Sequence, residues 1–157
     1  AAHQAFQQPG QVFPAGSRLK FKMVKHKGRP WLVLGMPSRR ALCYFQPQLD
    51  GRDLSYSGMD NSHGAPRWVR VHTYGGKLVE NACQSLARDV LADAMPAVEK
   101  AGYRIVLTVH DEIVAEAPDT DEYSAEHLSS ILATNPPWAG SLPLAASGFE
   151  TQRYRKD

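Results

Sequence analysis

The sequence predicts an α+β chain in which an antiparallel sheet carries a tight hairpin, one long helix packs on that sheet, and a basic β-meander is added to it. Three observations predict this. Residues 18–72 are short apolar runs separated by turn residues, residues 77–100 repeat apolar positions every three or four residues, and residues 104–117 are two β-rich runs flanking three ionisable side chains. At 157 residues the chain is long enough to bury a core and short enough that one compact unit is the default.

The elements follow in order. Ala1-Ala2-His3-Gln4-Ala5-Phe6-Gln7-Gln8 reads as the last turns of a helix ended by Pro9-Gly10, so residues 1–17 are expected to be a truncated helix end and a linker. Arg18-Leu19-Lys20-Phe21-Lys22-Met23 alternates cation and apolar residue, which on a strand puts Arg18, Lys20 and Lys22 on one face. Lys27-Gly28-Arg29-Pro30 turns into Trp31-Leu32-Val33-Leu34, and Pro37-Ser38-Arg39-Arg40 turns into Ala41-Leu42-Cys43-Tyr44-Phe45, giving a short antiparallel meander. A second meander runs from Asp50-Gly51 through Leu54-Ser55-Tyr56 toward Trp68-Val69-Arg70-Val71, and Thr73-Tyr74-Gly75-Gly76 ends it. From Lys77 to Lys100 a helix is predicted by Leu78, Val79, Ala82, Leu86, Val90, Ala94 and Val98, with Pro96 able to kink its last turn and Gly102 standing where a stop belongs. Arg104–Val109 and Ile113–Ala117 are the strands of a hairpin tipped by His110-Asp111-Glu112. Residues 122–132 read as an amphipathic helix with Leu128, Ile131 and Leu132 inward, stopped by Asn135-Pro136-Pro137-Trp138. A last strand is expected from Leu142 to Tyr154, and Arg153, Arg155 and Lys156 form a basic tail.

Charge divides the chain in two. Residues 1–77 hold 12 Lys/Arg against 3 Asp/Glu and residues 78–157 hold 6 against 13, so a formal charge of +2 is the sum of +9 and −7. The basic half suits a polyanion, the acidic half a cation or a solvated surface. Eight Lys/Arg and no acid lie between Arg18 and Arg40, spacing that would serve nucleic-acid phosphates or simply a solvated strand face. Two cysteines, Cys43 and Cys83, supply neither a disulfide framework nor a thiolate zinc site. No apolar run spans a bilayer and no secretory leader pattern opens the chain, so no membrane partner and a cytoplasmic location are expected.

The His110-Asp111-Glu112 tip concentrates the chemistry. A turn between two apolar strands presents carboxylates at the edge of a core, and Mg²⁺ takes one or two carboxylates with waters and substrate phosphates. Asp111 fits that role as a metal ligand. A two-ion phosphoryl-transfer site needs a second carboxylate from another element, and none is evident. The same tip would also be satisfied by an acidic, solvated turn. A zinc hydrolase would want further His at helical spacing, a serine hydrolase a Gly-x-Ser-x-Gly elbow, and a Walker site a phosphate loop that Thr73-Tyr-Gly-Gly-Lys77 does not match.

The run Thr73-Tyr-Gly-Gly-Lys-Leu-Val-Glu-Asn-Ala-Cys-Gln-Ser-Leu-Ala-Arg-Asp89, followed by Gly102-Tyr-Arg-Ile-Val-Leu-Thr-Val-His-Asp-Glu-Ile-Val-Ala-Glu116, resembles the palm segment of family A DNA polymerases of the bacteriophage type. The likeness extends to residues 34–44, to Pro136-Pro-Trp138 and to residues 154–157. The resemblance implies that Asp111 binds the catalytic Mg²⁺ pair, that His110 lies near the primer terminus, and that Glu112 supports the metal or the primer end. On the helix it implies that Gln84 contacts the minor groove of the nascent duplex, with Asn81 and Arg88 as further DNA-binding candidates; Arg18, Lys20 and Lys22 would reach phosphates. Partners would be primed template DNA, a dNTP and the remainder of the polymerase polypeptide.

The family's first motif, with another metal-binding aspartate, and its fingers helix, with the residues that grip the nucleotide, are not found here. The expected organisation is therefore a helix end and linker over 1–17, the basic meander over 18–72 and a palm-like segment over 73–157, together an excised C-terminal piece of a template-directed DNA polymerase that is inactive alone. The alternatives are a duplex-binding module without catalysis and one chain of a split polymerase.

Overall fold

The computed structural model describes residues 1–62 and 64–154, and the chain divides into two compact units, residues 1–85 and 86–157. The first unit begins with α1 (Ala2–Gln7) and continues as six antiparallel strands in sequence order: β1 (Val12–Ala15), β2 (Leu19–His26), β3 (Arg29–Gly35), β4 (Ala41–Asp50), β5 (Asp53–Asp60) and β6 (Arg67–Thr73). Helix α2 (Gly75–Lys100) begins in this unit and ends in the second, where β7 (Arg104–Val109) and β8 (Glu112–Glu116) form a separate two-stranded sheet, followed by α3 (Ala125–Leu132). The fold is α+β, as the sequence predicts. Among the described residues no helix is long and apolar enough to cross a membrane.

Alternation places the core of the first unit on one side of its sheet. Phe21 and Met23 on β2, Leu32 and Leu34 on β3, Tyr44 on β4 and Leu54 on β5 are buried together, with Ala5 of α1 and Leu78 and Ala82 of α2 in the same cluster. Adjacent Lys20 and Lys22 fall on the opposite face, as the period of two requires. Arg18 does not join them in the ladder. Ala15 pairs with Leu19, so Gly16-Ser17-Arg18 is the loop of a hairpin, and β1 occupies part of the segment read as linker.

The two predicted meanders are one sheet because β4 does not stop at Phe45. Its register shifts between Phe45 and Gln48, and Gln46 sits at φ 43° in this bulge. A bulge is where a strand tolerates proline, and Pro47 lies in it. The turned Gln46 carbonyl accepts from Arg70 Nη1 at 2.8 Å and Nη2 at 3.0 Å, while Arg70 Nη1 also donates to Ser57 Oγ at 3.0 Å. One arginine thus ties β6 to the irregular part of β4 across β5.

In the second unit α2 runs through Pro96 to Lys100 and stops at Gly102. Gly102 N–H donates to the Glu99 carbonyl at 3.0 Å and Tyr103 N–H to the Val98 carbonyl at 3.3 Å, the paired bonds of a Schellman cap. Glycine is required twice over: φ is 95°, and a Cβ would stand 2.5 Å from Tyr123 Oη. Buried Tyr103 then receives the N–H of Ser124 at 3.2 Å, and Ser124 Oγ caps α3 by accepting from His127 N–H at 3.1 Å. That cap is why α3 begins at Ala125 and not at Glu122.

Three further expectations are corrected. The hairpin is not carried by the large sheet, since its strands pair only with each other among the described residues; alternation identifies a strand but not its partner. Residues 142–154 form no strand, because an extended run with Pro143 and Gly148 needs a ladder to become one and none is offered. Val79 is 58% exposed, one residue off the inward stripe through Leu78 and Ala82. Of the basic tail, Arg155 and Lys156 lie outside the described residues.

Burial lifts the Tyr44 hydroxyl above its ordinary 10.0, against a smaller opposing effect of the hydrogen bond from Asn81. A raised folded-state value means that its stabilising contribution is complete below the unfolded value and disappears as pH climbs through the folded one. Tyr44→Phe should therefore lose less stability than the parent chain as pH rises above about 10, as read from urea midpoints. An unchanged alkaline slope would count against this account.

Candidate functional site

Register fixes the hairpin tip. Val109 pairs with Glu112, so only His110 and Asp111 remain to close the turn, and Glu112 is the first residue of β8. All three side chains are exposed. His110 has φ 53°, and Asp111 does not share the left-handed region, the sign pattern of a II′ turn. The same closure occurs between β4 and β5, where Asp50 pairs with Asp53 and the first central residue is Gly51 at φ 58°. Glycine serves this conformation without steric cost; histidine holds it against about 1–2 kcal/mol. His110 thus stands where turn chemistry favours glycine, which makes the tip a candidate functional site.

Neighbouring geometry sets the direction of the tip. A register shift between Ile105 and Leu107 bends β7, and Arg104 Nη2 stands 3.6 Å from Glu116 Oε2 at the open end. That pair is 78% and 65% exposed and contributes little. Asp111 and Glu112 provide adjacent oxygen donors of the kind a hard divalent cation takes. They do not form a cage: among the described residues no three of His, Cys, Asp and Glu come together as a metal site. The donor chemistry suits a cation that finds its other ligands elsewhere.

The helix candidates separate by environment. Asn81 is half-buried and its Nδ2 donates to Tyr44 Oη at 3.4 Å, which ties it to the core. Gln84 and Arg88 are exposed and one turn apart, so they share a stripe of α2. Gln84 Nε2 donates to Glu80 Oε1 at 3.4 Å, and Glu80 also accepts from Lys77 Nζ at 2.7 Å. Asp89, beside Arg88, is buried at 2% exposure.

The outer face of the large sheet holds what sequence reading missed. Trp31 and Phe45 are cross-strand partners with ring centroids 4.6 Å apart, and Trp68 joins Phe45 edge-on at 5.7 Å. Arg29 lies over the Phe45 ring, its guanidinium carbon 5.7 Å from the centroid. A shallow groove beside this row is lined by Val24, His26, Trp31, Val33 and Cys43. Lys20 and Lys22 continue the face along β2. The signal was present in the sequence: parity counted from Leu32 and Leu34 inward puts Trp31 outward with the lysines.

Comparison with known proteins bears on this geometry. Over 132 residues, 80% of its length, the chain is 40% identical to the DNA polymerase of Bacillus phage SP02. It is similar to a segment of a phage DNA polymerase. The match covers 20% of that polymerase, so the chain spans about a fifth of the length of this relative. No protein-family profile and no solved structure matches the chain. The resemblance read from residues 73–116 thus agrees with a similarity to a phage polymerase that extends over most of the chain.

The turn geometry makes a direct prediction. His110→Gly should raise stability by about 0.5–1 kcal/mol, since glycine removes the left-handed penalty and loses some of that gain to backbone entropy. Equilibrium urea unfolding measures it, and a loss of stability would show that the His110 side chain holds the turn.

Proposed function

We propose that the chain is the C-terminal, palm-like part of a family A DNA polymerase and contributes to template-directed nucleotidyl transfer from dNTPs. The observation that carries this reading is the 40% identity to the phage SP02 polymerase over most of the chain. The placement of Asp111 supports it: an exposed carboxylate on a two-residue turn held by a left-handed histidine.

In this reading Asp111 offers one carboxylate oxygen to a divalent cation, Mg²⁺ by the preference of hard ions for oxygen ligands. When bound, a pair of such ions lowers the barrier to attack by the primer 3′-hydroxyl and neutralises charge on the departing phosphates. Glu112, adjacent and exposed, adds negative charge beside Asp111 or holds the primer end. His110 orients Asp111 through its backbone and presents a ring to the primer terminus. Gln84 can donate to minor-groove acceptors common to all base pairs, so it contacts the duplex without choosing sequence. Arg88, Lys20, Lys22 and Arg18 serve phosphates, while Asn81 acts on the same helix with its amide engaged by Tyr44.

Beyond the neighbouring Glu112, no group of three His, Cys, Asp or Glu side chains that could hold a metal forms among the described residues. The proposal therefore assigns catalysis to these residues acting with further polymerase chain. The isolated 157 residues should show no Mg²⁺-dependent primer extension. In a chimaera carrying them in place of the matching segment of the phage SP02 polymerase, Asp111→Asn should lower kcat by about 10³-fold or more, with duplex binding little changed. Extension by the isolated chain would refute the division of labour. Full activity of the Asp111→Asn chimaera would refute the metal assignment and leave a duplex-binding module as the better reading.

A further inference from the structure

The outer face of the large sheet is unlike the solvated side of most antiparallel sheets. Such a face ordinarily alternates to polar residues once the other side is packed. Here the other side is covered by α1 and the first turns of α2, yet the outer side carries Trp31, Phe45 and Trp68 in a row, with Val24 and Val33 beside them. Trp68 is 62% exposed. Trp31 Nε1 and Arg70 Nε are buried with no hydrogen-bond partner, so the fold leaves two donors on this face unused.

Charge decides between occupants. A protein interface would also use aromatic residues and arginine but is depleted in lysine, whereas this row is bordered by Lys20, Lys22 and His26 on β2, by Arg29 over the Phe45 ring, and by Arg70. The three acids of residues 1–77 are Asp50, Asp53 and Asp60, each at the end of a strand, and Asp60, at the Trp68 end of the row, is held by Arg67 at 3.5 Å. The occupant is a polyanion with apolar faces. Duplex DNA has the charge, but its bases are stacked on one another and offer nothing to a tryptophan. Unpaired DNA has both, and aromatic rows beside cations bind it without choosing sequence.

We propose that this face binds single-stranded DNA, stacking unpaired bases on Trp31, Phe45 and Trp68 while Lys20, Lys22 and Arg29 take the phosphates. The choice of DNA over RNA rests on the polymerase reading; the choice of a single strand does not. Within that reading, the face would hold an unpaired stretch, separately from duplex contacts made by Gln84 and Arg88.

The test uses the 157-residue chain, in which Trp31 and Trp68 are two of three tryptophans. Oligothymidylate of about 12 nucleotides should quench their fluorescence. It should bind at least about tenfold tighter than an abasic oligonucleotide with equal phosphates or a duplex of equal length, at one salt concentration. Trp68→Ala, at an exposed position, should weaken thymidylate binding about tenfold, leave abasic binding unchanged and keep the parent circular dichroism spectrum. Lys20→Ala with Lys22→Ala should reduce the slope of log affinity against log salt by about 1.4.

Equal affinity for abasic and thymidylate strands, preference for duplex, or indifference to Trp68→Ala would overturn stacking. Absence of binding to any oligonucleotide would overturn the face as a nucleic-acid site. Oligouridylate binding tighter than thymidylate would overturn DNA as the ligand. If the face fails while Asp111→Asn still inactivates the chimaera, the polymerase reading stands without it.

Discussion

A two-residue closure between Val109 and Glu112 leaves the β7–β8 turn no slack, so the backbone angle of His110 decides where Asp111 points. A longer loop would let the carboxylate wander and would charge the entropy of fixing it to every binding event. A glycine in place of His110 would relax the turn as Gly51 does between β4 and β5, but it would also widen the conformations open to the tip. In the proposed metal-binding role the strained residue and the carboxylate act together, the left-handed backbone at His110 fixing an exposed pair of acidic side chains. Glu112 benefits from the same register, because membership of β8 sets its side-chain direction by ladder pairing.

The large sheet solves a different problem. Its inner face is closed by apolar alternation and two helical segments, while its outer face keeps rings and cations together. The bulge at Gln46-Pro47 joins these roles. It lets β4 continue past a proline, and it turns a carbonyl toward Arg70, which spans β5 to reach it. The charge asymmetry of the chain then acquires a structural meaning. Its positive residues gather on and around a sheet built to display them, whereas its carboxylates gather on α2, the hairpin and the segment leading to α3.

Much of this could be read from residues alone. The strands β2, β3, β5, β6 and β7, the helix α2 with its Gly102 stop, and the pairing of a long helix with a later hairpin follow from periodicity and turn residues, which are local properties of the chain. The Asp111 tip was visible because three ionisable residues interrupt two apolar runs. The outward aromatic row was missed for a different reason. Each ring, taken alone, resembles a core residue, and only knowledge of which strands are neighbours shows that three of them converge.

What the sequence by itself determined was the period of each element, the imbalance of charge between its halves and the residues at the hairpin tip. These depend on side-chain type at short spacing, where local sterics and solvation dominate. Tertiary structure alone decided that six strands make one sheet, that β7 and β8 pair only with each other among the described residues, that Arg18 falls in a turn, and that residues 142–154 find no ladder. Strand partners are chosen by side-chain packing and hydrogen bonding between segments far apart along the chain, and alternation along one strand carries no record of that choice.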